Sequence, residues 1–123
     1  MEQYFLEIYK EIINSKSRSS NPLKKFFFNN LSNLIIACYL ASKKKATLEE
    51  ICYNIPPKVI SRSSVQNILK KGTKILFFEK EINVKDKRSK YYKLTPMAKE
   101  LIYDSIRSKK ESLEKIKKLE NVA

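Results

Sequence analysis

Residues 61–95 contain the side chains with the clearest chemistry. Ser63, Gln66, Asn67, Lys70 and Lys74 recur at spacings that put them on one face of a helix. Hydroxyls, amides and ammoniums are the groups that hydrogen-bond base edges and grip phosphates. Gln66 and Asn67 each carry the paired donor and acceptor that match adenine, and Lys70 suits the O6 and N7 of guanine. A second cluster follows, in which Lys85, Lys87, Arg88 and Lys90 surround Asp86. Cations at a turn are groups that can grip phosphates.

These groups need elements to hold them. Val65, Ile68, Leu69, Ile75 and Leu76 form the opposite, apolar face of the same helix, which is predicted over residues 62–75. At 1.5 Å per residue it is roughly 21 Å long. Ser61 is its N-cap. Gly72 falls on the buried side, where a missing side chain permits close approach of another element, at a cost of about 1 kcal/mol relative to alanine. Residues 77–84 and 90–94 read as two strands, with the basic cluster at the turn between them. Tyr91 and Tyr92 alternate, so one packs inward and the other faces out.

Upstream, residues 2–14 read as a short amphipathic helix with Tyr4, Phe5, Ile8, Tyr9, Ile12 and Ile13 on its apolar face. A helix this short needs something to pack on, and a second subunit is the favoured cover. Residues 15–21 are a polar connector, in which Lys16 and Arg18 offer a minor phosphate contact. Residues 22–43 read as one central helix, begun by Pro22 and faced with Phe26, Phe27, Leu31, Leu34, Ile35, Cys38 and Tyr39. The cations Lys43, Lys44 and Lys45 close it against the negative end of its dipole. Thr47 and Glu50 form a capping box for a short helix with Leu48, Ile51, Cys52 and Ile55 inward, and Pro56 and Pro57 stop it. Two helices joined by a short connection make a helix-turn-helix.

Thr95 and Pro96 open a final helix that runs to about residue 120. Ile102, Ile106, Leu113 and Ile116 fit a seven-residue repeat, interrupted by Lys109. Beyond residue 107 little of the domain is left to cover this helix, so a partner helix is expected. The predicted dimerisation set is Tyr4, Phe5, Ile8, Ile12, Ile102, Ile106, Leu113 and Ile116.

The composition narrows the classes. The chain has 123 residues, enough for one domain, and a net charge of +13, which calls for a polyanionic partner. Residues 62–93 hold ten cations and three carboxylates, leaving seven positive charges in about a quarter of the chain. A single glycine excludes phosphate-binding loops of the Walker and dinucleotide types. The absence of histidine removes the commonest general base and metal ligand, and two cysteines cannot complete a structural zinc site. Cys38 and Cys52 lie on apolar faces and read as buried, inert thiols rather than a redox switch. The close carboxylate pairs, Glu49 with Glu50 and Glu79 with Glu81, read as capping groups and an exposed, unshifted pair, so no enzyme is expected. No cofactor or metal is expected either. The longest apolar run, residues 34–41, is too short to span a membrane, and the chain start has no signal-peptide pattern. A cytoplasmic, nucleoid-associated protein with reduced thiols is the expectation.

At Asp86, Lys87 and Arg88, and then at Leu94 and Thr95, the chain resembles the multiple-antibiotic-resistance-regulator (MarR) family of winged-helix transcription factors. Members carry Asp-x-Arg in the wing and Leu-Thr at the start of the following helix. The resemblance covers residues 47–101. Where the family usually has glycine before the first wing strand, this chain has Leu76, and Ala98 stands three residues after Leu-Thr where glycine is usual. The resemblance implies a dimer held by the terminal helices, a recognition helix in the major groove and a wing over the minor groove. It implies that Arg62, Ser63, Ser64, Gln66, Asn67 and Lys70 lie on the recognition helix. It also implies that Arg88 enters the minor groove with Asp86 orienting it.

The expected fold is mainly α with a small β-hairpin, an α+β winged helix-turn-helix. Residues 1–21 and 96–123 are expected to dimerise, and residues 22–95 to form the DNA-binding core. The expected function is sequence-specific double-stranded DNA binding in transcription regulation, by a homodimer. Two alternatives stand beside it: an architectural or plasmid-partition protein, and a winged helix used for protein contacts.

Overall fold

The computed structural model describes residues 2–17 and 21–122, with the side chains of 4, 11, 12, 14–17, 112 and 120–122 outside the described set. The predicted roles of Tyr4, Ile12, Lys16 and Arg18 therefore fall outside it. The fold is mainly helical with a small antiparallel sheet. The elements in order are α1 (Glu2–Ser17), α2 (Pro22–Asn29), α3 (Leu31–Lys43), β1 (Ala46–Thr47), α4 (Leu48–Asn54), α5 (Arg62–Lys74), β2 (Phe78–Ile82), β3 (Lys90–Leu94) and α6 (Pro96–Val122).

The helix predicted over 22–43 is two helices. Asn30 adopts an extended conformation (φ −157°, ψ 168°), and its side chain accepts the Asn33 N–H at 2.8 Å, capping α3. Asn33 in turn donates its side-chain amide to the Phe26 carbonyl at 2.8 Å, inside the core. Paired asparagines offer the backbone an alternative to the helical ladder, and here that local chemistry overrides a continuous apolar pattern. Asn21 caps α2 the same way, through the Leu23 N–H at 3.0 Å.

The two predicted strands gain a third. β1 pairs with β3, with Ala46 opposite Tyr92, so the sheet order is β1-β3-β2 and β3 is central. A two-residue strand has too little alternation to be seen in sequence. The first predicted strand is also shorter than residues 77–84. Asn83 ends it by accepting the N–H groups of Lys85 (3.1 Å) and Asp86 (3.4 Å). The capping box of α4 forms as expected, with the Glu50 N–H on the Thr47 hydroxyl at 3.1 Å.

The core is built where α2, α3, α4, α5 and the first turns of α6 close over the inner face of the sheet. Phe77, Phe78, Ile36, Leu40, Ile51, Val65, Leu69, Leu94 and Ile102 are essentially inaccessible. Phe26 meets Phe77 at 4.9 Å between ring centres and Phe78 edge-on at 5.6 Å. Gly72 is the reason Phe78 can sit there: a Cβ at residue 72 would clash with Cδ2 and Cε2 of Phe78 and lie 3.1 Å from Cζ of Phe26.

α5 ends in a Schellman motif. Phe77 N–H reaches the Gly72 carbonyl at 2.8 Å, Leu76 N–H reaches that of Thr73 at 3.2 Å, and Leu76 turns left-handed at φ 65°. Leu76 was expected on the apolar face of the helix; it is instead 68% exposed, because the motif swings it out. This is the position where the resembled family carries glycine, which takes positive φ without steric cost. Thr95 locks the same corner, donating its hydroxyl to the Leu76 carbonyl at 2.8 Å and accepting the Ala98 N–H at 3.3 Å as it starts α6.

Ile102 was expected at a subunit contact; it is 1% exposed and belongs to the core of its own chain. α1 packs on α2 and α6 of its own chain rather than lacking internal cover. Beyond residue 107 the described side chains of α6 are mostly exposed, in line with the expectation, with Lys109 over the Phe28 ring at 5.6 Å. Among the described residues no helix is long and apolar enough to cross a membrane.

Candidate nucleic-acid interface

α5 projects Ser63, Gln66, Asn67, Lys70 and Lys74 outward, all exposed, while Val65, Ile68, Leu69 and Gly72 lie in the core. The amphipathic split predicted for this helix is observed, apart from Leu76. The exposed residues differ in how free they are. The Ser61 hydroxyl accepts the Ser64 N–H at 3.3 Å and bonds the Ser63 and Ser64 hydroxyls at 3.3 and 2.9 Å. Ser63 and Ser64 are thus engaged in the cap. Arg62 is engaged too, as its guanidinium forks onto the Glu49 carboxylate of α4, one arm at 3.1 Å. That pairing holds Glu49 below the ordinary carboxylate value and Arg62 above its own. Gln66, Asn67, Lys70 and Lys74 have no hydrogen-bond or ion-pair partner among the side chains described.

The second predicted cluster sits at the end of the β2–β3 hairpin. Lys85, Asp86, Lys87, Arg88 and Lys90 are all exposed, and none forms an ion pair among the described residues. Asp86 does orient Arg88, but through the backbone: its carboxylate accepts the Arg88 N–H at 3.0 Å, and its carbonyl accepts the Ser89 N–H at 3.1 Å. Among the described residues the Arg88 guanidinium has no carboxylate partner. Sequence reasoning missed Asn83, the buried residue whose side chain pins the start of this loop. An asparagine ending an alternating run is the signal for such a turn.

The hairpin has two unlike faces. On the outer face Lys45 meets Glu81 at 2.9 Å and lies 4.6 Å over the Tyr91 ring, while Lys93 stands 3.8 and 3.9 Å from Glu79 and Glu81. Glu81, expected to be unshifted, is held below the ordinary carboxylate value by its hydrogen bond and charge contact with Lys45. On the inner face Phe78, Tyr92 and Leu94 pack on the core, and beyond them Lys80, Ile82 and Lys90 overhang it. Lys80 lies over the Tyr92 ring, at 6.0 Å, and forms no ion pair among the described residues.

A shallow groove between α2 and the end of α5 adds to the basic surface. Lys25, Lys71 and Lys74 rim it, with Phe26 and Ile75 at its floor. Lys25 could not be assigned from sequence, because only the fold brings it to the same groove as Lys71 and Lys74. Cys38 faces the exposed side of α3 rather than the core. Neighbouring atoms still shield its thiol enough to push the pKa up, with Lys109 opposing. Among the described residues no group of three or more His, Cys, Asp or Glu could hold a metal ion.

No protein-family model, curated protein or solved structure matches the chain.

Proposed function

We propose that this chain is a winged helix-turn-helix protein that binds double-stranded DNA and regulates transcription, of the MarR-like type. In this reading α4 and α5 are the helix-turn-helix, α5 enters the major groove, and the loop of residues 84–90 is a wing at the minor groove. The observation that carries it is the pairing of two surfaces: the unengaged Gln66, Asn67, Lys70 and Lys74 of α5, and the uncompensated cations Lys85, Lys87, Arg88 and Lys90. Gln66 and Asn67 suit adenine and Lys70 suits guanine, while Lys74 and the loop cations serve phosphates. Arg62, held by Glu49, positions α5 against α4 and has a smaller part in base reading.

Binding by a homodimer fits the apolar side chains left exposed on α1 and α6, among them Phe5, Tyr9, Ile106 and Leu113, with Ile8 and Ile116 half-buried beside them. A two-fold dimer reads two half-sites about 34 Å apart. Six phosphate contacts per dimer would give a log–log salt slope near roughly −5. An architectural or partition protein would use the same surfaces and spread cooperatively over repeated sites.

The test is fluorescence anisotropy of the full chain with random duplex and with its own upstream DNA at two salt concentrations. Tighter binding to the upstream DNA, weakened by both Asn67→Ala and Arg88→Ala, supports a self-regulating factor. Equal, salt-sensitive affinity for both duplexes points to the architectural reading. No binding near physiological salt sinks both and leaves a protein-contact module.

A further inference from the structure

The hairpin end carries two apolar side chains that neither the core nor phosphate binding uses. Ile82 is 68% exposed on the overhanging inner face, and Val84, two residues on, is 87% exposed. The segment between and beyond them is not slack. Asn83 is buried and holds the N–H groups of Lys85 and Asp86, and Asp86 holds that of Arg88. Val84 is therefore presented by a fixed loop. The same hairpin end carries Lys80, Lys85, Lys87, Arg88 and Lys90, none with a carboxylate partner among the described residues. Cations alone are enough to hold phosphates, and two exposed aliphatic groups on the same hairpin end add nothing to that grip.

We infer that Ile82 and Val84 form an apolar wedge that enters the minor groove, presses into a base step and bends the duplex. The inference rests on the proposal that the hairpin meets DNA. Its chemistry follows from the surroundings: aliphatic groups find apolar contact on sugar edges and unstacked bases, while the flanking cations neutralise phosphates on both sides of the opening. Side chains inserted this way kink DNA by roughly 20–90°. Pyrimidine–purine steps open most readily, so the favoured target is A·T-rich duplex containing a TA step.

The experiment uses the full chain and duplexes of about 30 base pairs, well below the DNA persistence length, carrying a donor and an acceptor dye at their ends. One duplex has a central TA step in an A·T-rich tract; the other has the same composition without it. The expected result is a rise in energy transfer when the protein binds the first duplex, and a smaller rise with the second. The double variant Ile82→Thr, Val84→Ser removes exposed groups only, so it keeps its circular dichroism spectrum. It is expected to bind with the wild-type salt slope and leave the duplex straight. A straight duplex under wild-type protein, or equal bending by the variant, overturns the wedge while leaving DNA binding intact. Loss of self-association as the variant's only change makes the pair a contact between copies and also overturns it. Failure of the wild type to bind either duplex at low salt overturns the wedge together with the reading beneath it.

Discussion

The outer and inner faces of the β2–β3 hairpin carry similar numbers of lysines with opposite results. Outside, Lys45 and Lys93 are matched by Glu79 and Glu81 at 2.9 to 3.9 Å, and the four charges cancel. Inside, Lys80 and Lys90 form no ion pair among the described residues, and the loop beyond adds Lys85, Lys87 and Arg88. A charge count over residues 62–93 treats all of these alike. The fold sorts them, because strand alternation sends residues 79, 81 and 93 to one side and residues 80 and 90 to the other. Cations already facing carboxylates have little left for a polyanion, whereas uncompensated cations release counterions when a phosphate arrives.

The contrast can be broken at its root. Phe78→Ala removes the ring that seats β2 on Gly72 and Phe26, and should cost about 3–5 kcal/mol in denaturant unfolding, with both faces losing their order together. It can be sharpened by equal charge changes on unequal faces. Lys87→Ala or Arg88→Ala should each flatten the salt slope of duplex binding by about one unit and weaken affinity several-fold, to roughly tenfold. Lys93→Ala should leave the slope within error of wild type, although it removes the same charge. An equal effect from all three would mean that carboxylate pairing does not decide which cations act.

A smaller effect is expected at the hinge between α5 and β2. Leu76→Gly relieves a left-handed residue at little loss of burial, and should stabilise by about 0.5–1 kcal/mol, read as a rise in the thermal midpoint. The smallest effect is that of acid on two exposed carboxylates. Glu81 and Glu49 have pKa values lowered in the folded state by Lys45 and Arg62. Their contribution to stability is present above the unfolded carboxylate value and is lost as pH falls through the lowered folded one. The difference in thermal midpoint between wild type and Glu81→Gln should therefore be small near neutral pH and vanish in acid below the ordinary carboxylate range.

Much of the scaffold was legible in the residues. The split faces of α5, the Thr47 and Ser61 caps, the glycine at the Phe78 contact and the two long strands all follow from local periodicity and cap chemistry, which need no partner to be read. What stayed hidden was decided by side chains acting on backbone a few residues away, or by elements distant in sequence. Asn30 and Asn33 broke an apolar run that reads as one helix. The strand at Ala46 exists only because β3 lies beside it. Ile102 fits a heptad seam equally well and is claimed by the core instead. For the candidate site, residue types identified the exposed groups, but not which were already engaged. Glu49 on Arg62, and Asp86 on the Arg88 backbone, are pairings that only the packed chain reveals.

The central place of β3 has a consequence for the life of the protein in concentrated solution. With β1 on one side and β2 on the other, the far edge of β2 offers a row of main-chain donors and acceptors to any passing strand. Phe77, Phe78, Ile82 and Val84 would make that edge a good template for fibril growth. Glu79, Lys80 and Glu81 interrupt it with alternating charge at its middle, so that a second copy docking edge to edge must bury or oppose them. The same three residues that divide the hairpin into a neutral side and a basic side also guard the chain against pairing with itself.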